Sequence, residues 1–307
     1  MHAVVTGAAG FIGGHLVRDL TERGYRVTGI DREPTTEGET SNHLTLDLAH
    51  PVRISGLAEI VATAQVVFHL AGRPGVRGGG RELAHQRHRD NVVATAHVLR
   101  TTSPDTHIVT TSSSSVYGGS SMRDGVLIPS RETDPLRPVG DYALSKVLME
   151  RLCATRRESG GSISVIRPFT VAGERQRPDM AFAIWLNALQ RGEPITLFGS
   201  GERSRDVTDV SDVVEGLIRA AETRVDSTVN LGTGVTHRLL DMARALLDVS
   251  GLDGDIVHAP VSTEDVGATL ADTERCRELL GFVPETDLHA VLERVVSSAA
   301  RPALAAS

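Results

Sequence analysis

Short apolar runs alternate with helix-length segments through the first half of the chain. Residues 4–6, 26–30, 44–46, 66–70, 107–111 and 162–167 read as strands. Leu16, Val17 and Leu20 carry helical spacing between the first two of them. Alternation of this kind predicts an α/β fold, a doubly wound parallel sheet with helices on both faces. The segment 81–100 and the helix carrying Tyr142 are expected to share an outer layer. After about residue 172 the pattern loosens into Pro-, Gly- and Arg-rich connections, as in a smaller, mixed substrate-binding domain. Residues 209–221 and 228–231 read as a helix and a strand returning to the sheet. The expected division is therefore 1–171 with 206–234 in one domain, and 172–205 with 235–307 in the other. The small-residue tail 297–307 is expected to fray, and there is no internal repeat.

The first strand runs into Thr6-Gly7-Ala8-Ala9-Gly10-Phe11-Ile12-Gly13, which opens the first helix. Gly7 permits a tight turn, Gly10 a close approach of backbone to a pyrophosphate, and Gly13 close packing of helix on strand. The helix start offers N–H groups and a positive dipole end to phosphate. The second strand ends at Asp31, 18 residues after Gly13, where a carboxylate suits the adenosine ribose and repels a 2′-phosphate. Strand, glycine turn, helix and acid at this spacing predict a Rossmann-type NAD site. Arg32, next in the chain, weakens the preference for NAD over NADP without reversing it.

Composition narrows the field. The 307 residues are 40% hydrophobic and 23% charged, ordinary for a globular protein. A net charge of −7 gives no electrostatic footprint for nucleic acid or an anionic membrane. The arginines of 81–89 and 151–157 read as solvated helix faces. Cys153 and Cys276 make no metal spacing or disulfide framework, and the histidines form no metal-binding pair. No apolar run is long enough to span a membrane, and the chain opens directly on a strand, so no signal peptide is expected. Together these predict a soluble, cytoplasmic protein with no metal.

The 32 Lys and Arg residues include a single lysine, Lys146, four residues after Tyr142. Positions i and i+4 share a helix face. An ammonium cannot be replaced by arginine where a compact, tunable charge is needed. The expectation is that Lys146 sits beside the phenol, favours the phenolate and makes Tyr142 a base. A surface Tyr and Lys one turn apart is the bland alternative.

These pieces together resemble the extended short-chain dehydrogenase/reductase family, in particular its NAD-dependent nucleotide-sugar epimerases and dehydratases. The resemblance rests on the glycine turn with Asp31, Asp47-Leu48, His69-Leu70-Ala71-Gly72, Ser112 to Gly118, Tyr142-x-x-x-Lys146, Arg167-Pro168, Arg205-Asp206 with Asp209 and Asp212, and Asn230-Leu231-Gly232. It implies a tightly held NAD, Tyr142 as acid/base, Lys146 on the nicotinamide ribose and Ser113 bonded to the reacting hydroxyl. The implied cofactor set is Gly7, Gly10, Phe11, Ile12, Gly13, Asp31, Arg32, Asp47, Leu48, Leu70, Ala71, Gly72, Asn91, Tyr142, Lys146 and Pro168. It also implies a homodimer formed through a four-helix bundle.

The resemblance implies Asp-Glu at positions 114 and 115 in members that dehydrate, and a Glu at position 115 in members that decarboxylate. This chain has Ser114 and Ser115 there, and hydroxyls cannot do that work near neutral pH. The remaining chemistry is 4-epimerisation: oxidation at C4, rotation of the keto sugar and return of hydride to the other face. Arg177-Pro178-Asp179-Met180-Ala181 resembles the glucuronate 4-epimerase branch, which implies Ser114, Ser115 and Thr170 on a C6 carboxylate, with Arg177 nearby. Hydroxyls also suit a neutral hexose or N-acetylhexosamine, so UDP-glucose or UDP-N-acetylglucosamine epimerisation stays open. A non-catalytic NAD-binding sensor is disfavoured, since it needs no Ser-Tyr-Lys set. Arg77, Arg203 and Arg205 complete the expected substrate set, and glycines 78–80 suggest a flap over the sugar. No arginine stands at 263–265, where many members place one for the nucleotide pyrophosphate, so Arg203 and Arg205 must carry more of that charge. Val171-Ala172-Gly173-Glu174 also departs from the family's usual sequence.

Overall fold

The computed structural model describes residues 1–34, 42–50, 54–75, 80–261 and 266–300. Its centre is a seven-stranded sheet in which every neighbouring pair is parallel. In chain order the strands are β1 (His2–Thr6), β2 (Arg26–Asp31), β3 (His43–Thr45), β4 (Val66–His69) and β5 (His107–Thr111). After a small hairpin of β6 (Met122–Arg123) and β7 (Val126–Leu127), β8 (Ile163–Pro168) and β12 (Thr228–Leu231) extend the same sheet. The spatial order β12-β8-β5-β4-β1-β2-β3 starts at β1, walks out to β3 and returns to the other side at β4. The strands expected from sequence coincide with these to within two residues.

Both faces of the sheet are covered. Helices α1 (Phe11–Glu22), α7 (Val210–Thr223) and α9 (Glu274–Leu280) bury Leu16, Leu20, Val213, Leu217 and Leu280 on one side. On the other, α2 (Ile54–Val61), α4 (Ala94–Thr101) and α5 (Gly140–Glu158) bury Leu57, Val61, Val98, Met149 and Cys153. The expected long helix over 81–100 is a continuous run of α3 (Arg81–Arg87), a π turn (His88–Val93) and α4. The π turn points two consecutive residues, Asp90 and Asn91, inward together.

The arginine bunches, expected as solvated faces, are not all solvated. Arg87 is 2% exposed. Arg156 donates to the carbonyls of Leu99, Thr102, Ser103 and Thr106, closing the end of α4 where helix carbonyls lack partners. Sequence counting could not see that α4 ends beneath that side chain.

Beyond β8 the chain builds a second apolar cluster. β9 (Thr170–Ala172) pairs parallel with β11 (Ser204–Asp209), which pairs antiparallel with β13 (Thr236–Arg238). β10 (Ile195–Phe198) pairs with β14 (Ile256–Ala259). Phe182, Trp185 and Leu186 of α6 (Ala181–Gln190) pack with Met242 and Leu246 of α8 (Leu239–Ser250) and Val291 and Leu292 of α10 (Leu288–Ala300). The start of the expected frayed tail is thus helical to Ala300, and 301–307 lie outside the described residues. No helix among the described residues is long and apolar enough to cross a membrane.

Candidate active site

In open parallel sheets a ligand crevice lies beyond the carboxyl ends of the strands, where the order reverses. Here the reversal falls between β1 and β4, and a cleft of about 740 Å³ opens there and runs toward β11 and α8. Gly7, Gly10, Phe11, Ile12 and Gly13 line it. The turn leaves no room for side chains: a Cβ on Gly13 would stand 1.9 Å from the Gly7 carbonyl oxygen. At Gly7, φ is +75° and a Cβ would meet the Ala71 nitrogen at 2.7 Å. Gly10 caps α1 without a side-chain hydrogen bond, so the first N–H groups of the helix are left for an anion. Asp31 accepts from the Ala9 N–H (3.0 Å) and from the Arg32 and Glu33 N–H groups (2.7 and 3.2 Å). These three bonds aim a carboxylate into the cleft. Backbone and acid together fit a dinucleotide with an unphosphorylated ribose.

Around them stand Asp47, Leu48, Leu70, Ala71, Gly72 and Pro168, all lining the cleft. Asn91 lies outside that lining. It is 1% exposed, donates to Ser145 Oγ and the Arg73 carbonyl, and accepts from the Arg73 N–H at 2.6 Å. It holds the 71–73 loop through these contacts to Arg73.

Asp90, missed from the sequence, does line the cleft. Its carboxylate accepts from Arg32 (2.7 Å), Arg89 (2.7 Å) and Arg73 (3.2 Å). Arg89 also pairs with Asp47. Burial works upward on the Asp47 carboxyl, but the Ala49 N–H and Arg89 pull it below its ordinary value. His69, fully buried, is held between the hydroxyls of Thr6 (2.8 Å) and Thr95 (2.9 Å). Burial, with the Lys146 charge, lowers it to about 3, so it is a neutral spacer at working pH.

The nicotinamide end gathers Ser113, Tyr142 and Lys146 on the cleft wall. Ser113, extended at the end of β5, hydrogen-bonds the Tyr142 phenol and accepts the Ser115 N–H at 3.2 Å. Lys146 donates to the Thr111 carbonyl at 2.8 Å. Burial pushes the phenol upward; the Ser113 hydrogen bond and the charges of Arg177 and Arg87 oppose it. Burial also lowers Lys146 to about 8. The two arginines whose charges oppose burial at the phenol both lie far from Tyr142 in the sequence.

Behind this wall is a buried polar network. Arg167 binds Glu150 through two contacts (2.9 and 2.6 Å) and donates to the Tyr117 hydroxyl, which donates to Asn230 at 2.6 Å. The Asn230 side chain donates to the Ser130 carbonyl, and its backbone N–H donates to Glu132. Glu150 lies four residues after Lys146 on α5, so the network ties that helix to β8 and β12. This accounts for the Tyr117, Arg167 and Asn230 motifs as positioning residues. Asp206 is similarly structural, accepting from the Thr233, Gly234 and Ala271 backbone and the Thr233 hydroxyl. Asp209 caps α7 and pairs with Arg294.

The far half of the cleft is lined by Ser114, Ser115, Thr170, Arg177, Arg203 and Arg205, with Asp179, Met180 and Phe198. Ser112 and Ser115 present buried hydroxyls with no hydrogen-bond partner among the described residues. Arg177 pairs with Asp179 at 2.9 Å. Arg205 donates to the carbonyls of Ser204, Val266 and Gly267. Arg77, glycines 78 and 79, and 263–265 lie outside the described residues. Among the described residues no cluster could hold a metal ion.

A doubly wound sheet, a glycine turn with its acid and a Ser–Tyr–Lys set define a dinucleotide-dependent enzyme working on hydroxyl or carbonyl carbon. A profile of the NAD dependent epimerase/dehydratase family matches residues 3–232, and the chain belongs to that family, with NAD as its cofactor. It is 32% identical, over 94% of both chains, to an uncharacterized UDP-glucose epimerase, YtcB, of Bacillus subtilis. MoeE5, solved with UDP-glucose and NAD, superposes with a TM-score of 0.87 at 33% identity, covering 97% of this chain and 98% of that one. The UDP-glucuronic acid 4-epimerase of Bacillus cereus, solved with UDP-glucuronic acid and NAD, gives a TM-score of 0.87 at 28% identity, with the same coverage.

Proposed function

We propose that the protein is a nucleotide-sugar 4-epimerase that interconverts UDP-glucuronate and UDP-galacturonate. The observation that carries the proposal is the hydroxyl wall of Ser113, Ser114, Ser115 and Thr170 beside Tyr142. No carboxylate stands at 114 or 115 to drive elimination, and the cleft carboxylate Asp179 is held by Arg177.

In this mechanism Tyr142 takes the proton of the C4 hydroxyl, and Ser113 holds that oxygen in line with the phenol. Lys146 fixes the ribose of the cofactor. NAD, when bound, supplies the acceptor for the C4 hydride and its return. Ser114, Ser115, Thr170 and Arg177 hold the carboxylate through the keto stage. A β-keto acid loses CO₂ most easily when the carboxylate bond aligns with the carbonyl π system. Hydrogen bonds that hold it out of alignment, with its charge on oxygen, protect it. After the sugar turns, Tyr142 returns the proton. Arg203 and Arg205 serve the nucleotide phosphates, and Arg77 the sugar end. The homodimer through a four-helix bundle belongs to the same proposal.

A neutral hexose is the second reading, supported by the likeness to a UDP-glucose epimerase and by the Asp179 carboxylate beside Arg177. The test is incubation with UDP-glucuronate and NAD, with chromatographic separation of the epimers. UDP-galacturonate without net NADH supports the proposal. An unchanged substrate, with UDP-glucose turned over, transfers the assignment to neutral sugars.

A further inference from the structure

Arg32 follows Asp31 at the end of β2, where an arginine can accommodate the 2′-phosphate of NADP. From the sequence alone it blunts the meaning of Asp31. In the structure its Nη2 lies 2.7 Å from Asp90 Oδ2, across the cleft on the π turn. Asp90 is 4% exposed, and its other partners are Arg89 at 2.7 Å and Arg73 at 3.2 Å. Arg89 is shared with Asp47, and the Arg73 backbone is pinned by Asn91. Arg73 Nε reaches the same Oδ2 as Arg32, and Arg89 holds the other oxygen.

We propose that Asp90 is a cofactor-specificity residue, a buried carboxylate that holds the half-exposed Arg32 in an ion pair so that it does not serve a 2′-phosphate. A phosphate could recruit Arg32 only by drawing it off the buried Asp90 carboxylate, which would keep Arg73 and Arg89 and lose the 2.7 Å contact to Arg32. The incoming phosphate would also enter a cleft that Asp31 and Asp47 line. The exclusion of NADP is thus shared between Asp31, which repels the phosphate, and Asp90, which withdraws the cation that would attract it.

The test reads cofactor content rather than turnover. Purified protein is equilibrated with equal concentrations of NAD and NADP until the shares are constant, then freed of unbound cofactor. Bound cofactor is released by denaturation and separated by chromatography. D90N is expected to raise the NADP share about tenfold, the scale of one charge-assisted contact to phosphate, and D90N/R32A to return it to within about twofold of the parent. An unchanged share in folded D90N overturns the proposal, as does a rise that survives in D90N/R32A. R32A alone leaves Asp90 two arginines and tests the same point should D90N not fold. Its NADP share should match the parent within about twofold, and a clear fall would mean that Arg32 already serves the phosphate.

Discussion

The cofactor half of the cleft is walled by backbone, and the sugar half by side chains that already hold one another. At Gly13 the wall is a carbonyl 1.9 Å from where a Cβ would stand. At Arg177 it is a guanidinium paired with Asp179, both partly exposed, with 34% and 57% of their side chains open to solvent. The first surface cannot change without moving a strand; the second can change by a rotamer. One end of the molecule therefore declares its ligand, and the sugar at the other end is a matter of proposal.

The largest test of this contrast is G13A. It should abolish both retained NAD and turnover, whereas S115A in the sugar half should keep its NAD. Cofactor released on denaturation measures both, and NAD retained by G13A would refute the backbone account. Next is Y142F, expected to lower turnover by about 10²–10⁴-fold with cofactor content unchanged. Activity near the parent's would remove Tyr142 from the chemistry.

The network behind the wall serves both halves. E150A leaves Arg167 buried without its carboxylate, which should destabilise the protein by about 3–5 kcal/mol in urea unfolding. A loss below about 1 kcal/mol would mean the pair is not structural. R177A should raise KM for a carboxylated sugar about tenfold more than for its neutral counterpart, as one charged contact is lost. Equal losses would deny Arg177 an ionic role.

A pH-dependent effect concerns His69, under the cofactor half. Its folded-state pKa, about 3, lies below the ordinary 6.5. Between those values the unfolded chain binds a proton that the folded chain refuses. The contribution is therefore present above about 6.5 and is lost as pH falls toward about 3, at about 1.4 kcal/mol per pH unit. H69Q should flatten the acid limb of stability against pH by up to that slope, and an unaltered limb would count against a buried neutral imidazole.

The same contrast explains what could be read from the sequence. The sheet, the glycine turn, Asp31 and the Tyr142–Lys146 turn of α5 depend on local spacing and chain geometry, and the structure places each where spacing put it. Asp90 and Asn91 could not be told apart, because a π turn shifts the helical phase that sequence spacing assumes. Arg87 looked solvated because nothing local marks it as the residue closed in beside Gly75, whose carbonyl it binds at 2.6 Å. Tyr117, Arg167 and Asn230 were visible as motifs, but their shared network joins positions 113 residues apart. The sugar half mixes local pairs such as Arg177–Asp179 with distant ones such as Arg205 to Val266, and its ligand is proposed while the cofactor is stated.

The most direct test is competition between UDP-glucuronate and UDP-glucose in equal amounts, with products and CO₂ followed together. The account predicts UDP-galacturonate as the main product, no CO₂ and no accumulated NADH. Dominant UDP-galactose, or a pentose with CO₂, would contradict the claim that the hydroxyl wall receives and protects a carboxylate.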